Sequence, residues 1–75
     1  MNQTCNYNIA YWDFYEAKTG ILLDEGRLEG DLMMPVIGAI VVSVKDWELA
    51  KVERFEQAVK RKGRPAFKVY VKKLK

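Results

Sequence analysis

Few side chains in this chain are suited to acid–base or nucleophilic catalysis. The sequence has no histidine, its one cysteine is Cys5, and its one serine, Ser43, lies in an apolar stretch without a neighbouring base. Carboxylates cluster at residues 24–25 and 29–31, but acids beside glycines are usually solvated loop charges. One cysteine without histidine cannot form a zinc site, and the acids lack the spacing of a calcium loop. We therefore expect a protein that is not an enzyme and that needs no metal or cofactor.

Positive charge is concentrated in the second half of the sequence. Residues 1–44 carry two bases and six acids, whereas residues 45–75 carry eleven bases and four acids. The two halves therefore have net charges of −4 and +7. An anionic partner is expected to contact the basic half.

The most specific local motif is the basic segment 60–65, Lys-Arg-Lys-Gly-Arg-Pro. Its last four residues resemble the core of the AT-hook, in which an extended Arg-Gly-Arg-Pro segment lies in the narrow minor groove of A·T-rich DNA. Lys62 replaces the first arginine of that core, although cationic side chains in general are drawn to a narrow minor groove. The alternative interpretation is a solvated loop that joins two elements.

A broader basic surface extends this motif along the end of the chain. Lysines and a tyrosine that alternate with apolar residues could follow a phosphate backbone and offer a ring for stacking, although terminal lysines are also ordinary solubility residues. We predict a non-enzymatic module that binds nucleic acid or regulates transcription. Its predicted contact residues are Lys60, Arg61, Lys62, Arg64, Lys68, Tyr70 and Lys72.

The aromatic residues suggest an alternative function, protein–protein interaction. Aromatic side chains make up 12% of this small chain, so some of them are expected to reach the surface and to anchor a protein partner or a second copy. The predicted anchors are Tyr11, Trp12 and Trp47.

Alternation of side chains predicts several strands that would position these residues. Residues 6–16 are rich in aromatic and β-branched residues, and residues 21–23 restart an extended run after a Lys-Thr-Gly turn. Residues 36–44 predict a strand whose core face carries Val36, Ile40, Val42 and Val44. In residues 66–74, Phe67, Val69 and Val71 face one way, and Lys68, Tyr70 and Lys72 face the other.

Residues 46–62 fit two interpretations. As a helix, the segment would have Asp46 as its N-cap and Gly63 as its stop, but Glu48 and Glu56 would interrupt the apolar stripe. As a strand, it would need one extra residue, a bulge near residues 50–51, to keep its apolar side chains on one face. The fold prediction is a mainly β domain, an antiparallel meander or a Src-homology-3-like barrel. The alternative is an α+β domain of ββ(β)αβ order with a helix at about 46–62.

Three segments resemble a pattern found in small, mostly uncharacterised phage and mobile-element proteins that form compact β-barrels. They are the P-x-x-G-x-x-V run at residues 35–41, the aromatic-x-[LV]-x-x-V run at residues 47–52 and the alternating run at residues 67–71. The resemblance spans about residues 9–74. It departs from the family pattern at Leu49, where valine is usual, and in the long basic connection 57–64. It implies successive strands of a meander and a host or phage protein as partner.

Length and composition predict a single small domain over residues 1–75, with residues 1–5 disordered. The longest mostly apolar run is about half the length that a bilayer span requires, so no membrane association is expected. A lone cysteine and the lack of a signal-like start suggest the reducing cytosol, hence a cytoplasmic protein.

Overall fold

A computed structural model describes residues 9–29 and 34–74 of the chain. The described residues form five strands and no helix, which confirms the predicted mainly β domain. The predictions for Cys5, for disorder at residues 1–5 and for the start of the first strand at residues 6–8 lie outside the described residues. The strands are β1 (Ala10–Glu16), β2 (Leu22–Glu29), β3 (Ile40–Val44), β4 (Trp47–Arg61) and β5 (Arg64–Lys73).

The five strands form one mixed sheet that curls into a half-barrel. The strand order is β2-β1-β5-β4-β3. Three of the four neighbouring pairs are antiparallel, whereas β1 and β5 run parallel, so the sheet is not the wholly antiparallel meander of the prediction. The parallel pair places the first and last strands side by side at the centre of the sheet, with Tyr11 opposite Ala66 and Glu16 opposite Val71.

The alternative helix at about 46–62 is wrong, because β4 occupies almost all of that segment. The fifteen-residue strand β4 pairs with β3 over residues 47–51 and with β5 over residues 50–61. The acids that would interrupt a helical stripe, such as Glu48 and Glu56, lie exposed on this strand. A bulge is present, but it falls between Val52 and Arg54 rather than at residues 50–51.

The inner face of the half-barrel forms the hydrophobic core. Each of the three central strands β1, β5 and β4 contributes buried side chains at alternating positions, as the period of a strand requires. Trp12 and Phe14 meet edge to face with ring centroids 5.8 Å apart. The fully buried side chains of greatest volume are Phe14, Val44, Val52, Val69 and Val71.

The predicted core face of the third strand is wrong at most of its positions. Val36, Ile40 and Val42 are exposed, whereas Val41 packs against the core opposite the buried Ala50. Only Val44 of the predicted set is buried. The residue before it, Ser43, has a φ of 56°, in the left-handed region, so strict alternation ends there. Because β3 is an edge strand, no further strand pairs with its outer side.

Candidate nucleic-acid interface

The outer side of β5 carries the basic residues that alternation predicted. Lys68 and Lys72 are exposed and Tyr70 is half-buried, while the alternating residues Phe67, Val69 and Val71 are buried. The rest of the predicted basic set does not join them in one patch. Arg64 lies eight residues before Lys72, about 26 Å away along an extended strand.

Tyr70 lies within a row of side chains that crosses three strands. Its ring stacks on Tyr15 of β1, with centroids 5.4 Å apart and planes at 29°. The guanidinium of Arg54, on β4, lies 4.1 Å from the centroid of the same ring. The Tyr70 hydroxyl donates a hydrogen bond to Glu56 at 3.2 Å. Since Tyr15 and Arg54 pack against this ring, Tyr70 is not the open stacking platform that we predicted.

Arg61 is engaged in an ion pair with Asp13. Its Nη2 donates to Asp13 Oδ2 at 2.8 Å, and its Nη1 donates to Oδ1 at 3.3 Å. The backbone N–H of Gly26 donates to the same Oδ1 at 2.7 Å. The Arg61 guanidinium also lies 5.3 Å from the centroid of Tyr11. These contacts hold the end of β4 against β1 and β2, so Arg61 has a structural role.

Asp13 remains ionised because of these contacts. Burial acts to raise the pKa of its carboxyl, but the hydrogen bonds from Arg61 and Gly26 and the charges of Arg61 and Lys68 outweigh it. The pKa of Asp13 is therefore below its ordinary value. The same hydrogen bond and charge raise the pKa of Arg61 further above neutrality.

The segment 62–65 is a tight hairpin turn rather than an extended segment. Lys62 and Gly63 have φ of 52° and 77°, which is the geometry of a two-residue turn, and Arg61 pairs with Arg64 across it. Arg64 and Pro65 already belong to β5. The described conformation therefore differs from that of an AT-hook core, since the backbone reverses at Lys62-Gly63. Lys60 and Lys62 are exposed at this hairpin tip.

A basic groove lies at the opposite end of β5, beside the β1–β2 turn. It has a volume of about 480 Å³. Two acids line it, Glu16 and Glu53, and Glu16 accepts a hydrogen bond from Thr19 at 2.8 Å. The cations that line it are Lys18, Arg54, Lys72 and Lys73.

A fifth cation adjoins this basic groove. Lys51 of β4 lies directly opposite Lys72 of β5 in the register of the two strands. Among the described residues, no carboxylate comes within 4.0 Å of the charged nitrogens of these five cations. The sequence pointed to Lys72 and Lys73 in the terminal basic stretch, but not to Lys51, because its pairing with Lys72 depends on the register of β4 with β5.

Lys68 has more acidic neighbours across the strands than Lys72 has. It lies between Asp13 on β1 and Glu56 on β4 in the strand registers. Together with residues 56–61, Asp13 and Lys68 line a second groove, of about 540 Å³. Acids thus accompany the cations in the middle of the sheet, and the basic groove and the hairpin tip are separate basic regions.

The predicted aromatic anchors do not form a surface patch. Trp12 is only 5% exposed and lies in the core, so it cannot anchor a partner. Tyr11 is half-buried beside Arg61, and Trp47 is half-buried against the core. Large exposed apolar side chains occur elsewhere, chiefly in residues 34–42.

Residues 9–29 and 34–74 contain no cluster of three or more acids, cysteines or histidines that could hold a metal ion. No helix among them is long and apolar enough to cross a membrane. Comparison of the chain with protein-family models, with curated proteins and with solved structures finds no match. The resemblance to phage proteins and the cytoplasmic location therefore stay predictions.

Proposed function

We propose that this protein is a non-enzymatic module that binds the sugar-phosphate backbone of nucleic acid through its basic groove. The observation that carries the proposal is the placement of Lys51 directly opposite Lys72, with Lys18, Arg54 and Lys73 around the same groove. Like charges on directly opposed residues of neighbouring strands are destabilising. A bound phosphate would offset this repulsion, whereas no described carboxylate lies close enough to do so.

Binding would depend on phosphate neutralisation and only slightly on base identity. Two partners already pack against the ring of Tyr70, and the second aromatic of the row, Tyr15, packs on it. Lysines act as point charges towards phosphate and carry little information about sequence. A groove that contacts about four phosphates would give a slope of log K against log salt of roughly −3 to −4.

The test is a fluorescence-anisotropy titration of the full chain against short single- and double-stranded DNA and RNA. Measurements at about 50 mM and about 200 mM salt should show a steep loss of affinity. The double variant Lys51→Gln with Lys72→Gln should weaken binding for all sequences and reduce the salt slope by about 2.

A matched control removes the same charge from the hairpin tip, as Lys60→Gln with Lys62→Gln. This variant should retain most of the affinity, because the tip lies at the other end of β5 from the groove. Loss of binding in the tip variant alone would place the contact on the hairpin and reject the groove. No binding by the unmodified protein at low salt would reject the function itself.

A second function, protein–protein interaction, is favoured by a different observation. Five of the ten large apolar side chains that are exposed in the described residues lie within residues 34–42. This surface carries no charge of its own, so a polyanion would not bind there. The two functions can therefore coexist on separate surfaces.

A further inference from the structure

Residues 34–42 form an apolar surface at the β3 edge of the half-barrel. The exposed fractions of its large side chains lie between 49% and 65%. The turn at residues 36–39 is fixed beside β4, because Gly38 N–H donates to the Val52 carbonyl at 2.8 Å. The side chains that form this surface are Met34, Val36, Ile37, Ile40 and Val42.

The area of this apolar surface is unusual for a small monomer. Five side chains, each about half accessible, present about 500 Å² together, near the upper end of the largest patch on a typical monomer. Leu49, half-buried opposite Val42, adds to it. Two such surfaces face to face would bury about 1,000 Å² in total, the lower limit for a specific interface.

The geometry of β3 decides how a partner can contact this surface. The outer edge of β3 is already covered at Val42 and Ser43, whose carbonyls accept hydrogen bonds from Arg27 of β2 at 3.3 and 2.9 Å. A strand from another chain could not add to this part of the edge without displacing Arg27. The contact must therefore be made by the side chains of the outer face.

We infer that this apolar surface is the interface of a symmetric dimer, with a second copy of this chain as its occupant. The run from residue 34 to residue 44 contains no charged residue, so it has no like charges to oppose when it meets itself. A two-fold contact is self-complementary by construction. The buried area is what a weak dimer needs, and it is too small for an obligate one.

The dimer would also bring two basic grooves together. Ile40 is opposite Lys51, and Lys51 is opposite Lys72, so the apolar surface lies about 10 Å, two strand spacings, from the groove. This consequence rests on the proposed function, whereas the dimer itself does not. Two grooves near one two-fold axis would contact a longer stretch of phosphates than one groove.

Sedimentation equilibrium of the full chain, without nucleic acid, tests the dimer directly. The unmodified protein should show a monomer–dimer equilibrium. The variant Ile40→Gln with Val42→Gln should be monomeric over the same concentrations. The matched control is Leu22→Gln with Leu28→Gln, which changes two exposed apolar residues of β2 (42% and 53% exposed) and should dimerise normally.

Three results would overturn the inference. One is a monomer at every concentration up to the millimolar range, and another is loss of the dimer in the β2 control alone. The third is a dimer that persists in the Ile40/Val42 variant. All four positions are exposed, and circular dichroism would verify that each variant is folded. Because the measurement contains no nucleic acid, failure of the dimer would leave the groove proposal standing.

Discussion

Asp13 keeps a negative charge beneath the surface, with only 6% of the residue exposed. Three hydrogen bonds from Gly26 and Arg61 stabilise the ionised carboxylate and lower its pKa. A carboxyl whose pKa is lowered by folding adds stability above its unfolded value of about 3.9. That contribution is lost as the pH falls through the lower pKa of the folded state. The Asp13 contacts should therefore stabilise the fold at neutral pH and not in acid.

The variant Asp13→Asn should measure this contribution. At pH 7 we expect it to lower the free energy of unfolding by about 1–2 kcal/mol, because a neutral amide binds Arg61 and Gly26 less strongly. The difference should shrink towards zero as the pH falls below the lowered pKa. Urea unfolding of both proteins across this range checks it, with Asp46→Asn, in the exposed turn between β3 and β4, as control. A difference that is constant with pH would contradict the assignment.

The aromatic residues show which single-residue roles sequence can and cannot assign. The alternation of Trp12 and Phe14 with Asp13 indicates two faces of a strand, but not which face becomes the core. Both rings lie inside, so Trp12 is unsuited to the anchor role that its residue type suggested. The role of Tyr70 failed for another reason. Its packing partners Tyr15 and Arg54 come from strands 55 and 16 residues away, which no local pattern connects.

Arg27 closes the gap between the two edge strands of the half-barrel. From β2 it donates to two carbonyls of β3, and its guanidinium lies 5.1 Å from the centroid of Phe14. Nearby, the Lys45 N–H donates to Asp24 at 3.3 Å. No backbone ladder joins β2 to β3, so these side chains replace it. Closure protects an edge that would otherwise be open to pairing with other chains.

The variant Arg27→Met should loosen this closure while it keeps most of the apolar stem. We expect the free energy of unfolding to fall by about 1–2 kcal/mol, because two carbonyl contacts with a charged donor are lost. Amide hydrogen exchange should rise first in β3 and only later in β4 and β5. Arg54→Met, whose guanidinium contacts the Tyr70 ring instead, is the matched control. Equal exchange of β3 in both variants would argue against closure by Arg27.

The buried and exposed faces of a strand were predictable where one face packs against the core and the other contacts solvent. The alternation in β5 gave the correct inner and outer sides at every position from Phe67 to Lys72, because this central strand packs against the core on one side only. In β3 the same rule failed. An edge strand rich in valine and isoleucine shows no polar alternation, and the left-handed Ser43 shifts the side-chain pattern. In β4 the sequence predicted that a bulge is present, but it lies between Val52 and Arg54 and not at residues 50–51.

At the scale of the whole molecule, the decisive unknown was the strand register. Lys18, Lys51 and Lys72 are separated by 33 and 21 residues in the sequence. Only the strand order β1-β5-β4 brings them to, or beside, one groove. The motif at residues 60–65 was conspicuous because it is continuous in sequence. The structure instead separates the basic residues into two regions, the hairpin tip and the basic groove.

This arrangement predicts an unusual response of the free protein to salt. Salt shortens the range of electrostatic repulsion, from about 30 Å at 0.01 M to about 3 Å at 1 M. We expect salt to raise the melting temperature of the unmodified protein, although it would weaken nucleic-acid binding. The variant Lys72→Glu replaces the repulsion between Lys51 and Lys72 with an attraction between opposite charges. It should melt about 2–4 °C higher at low salt and gain less from added salt.

Thermal unfolding of both proteins at the same concentration, with circular dichroism as the signal, checks this prediction. General effects of salt on apolar burial act equally on the unmodified protein and on the Lys72→Glu variant. The difference between their changes in melting temperature therefore measures the charge repulsion within the groove. Lys60→Glu at the hairpin tip, with the same change of net charge, is the control and should behave like the unmodified protein. If the Lys72 and Lys60 variants respond alike, the net charge of the molecule governs its stability. If only the Lys72 variant differs, the repulsion is local to the groove, and a phosphate bound there would relieve it.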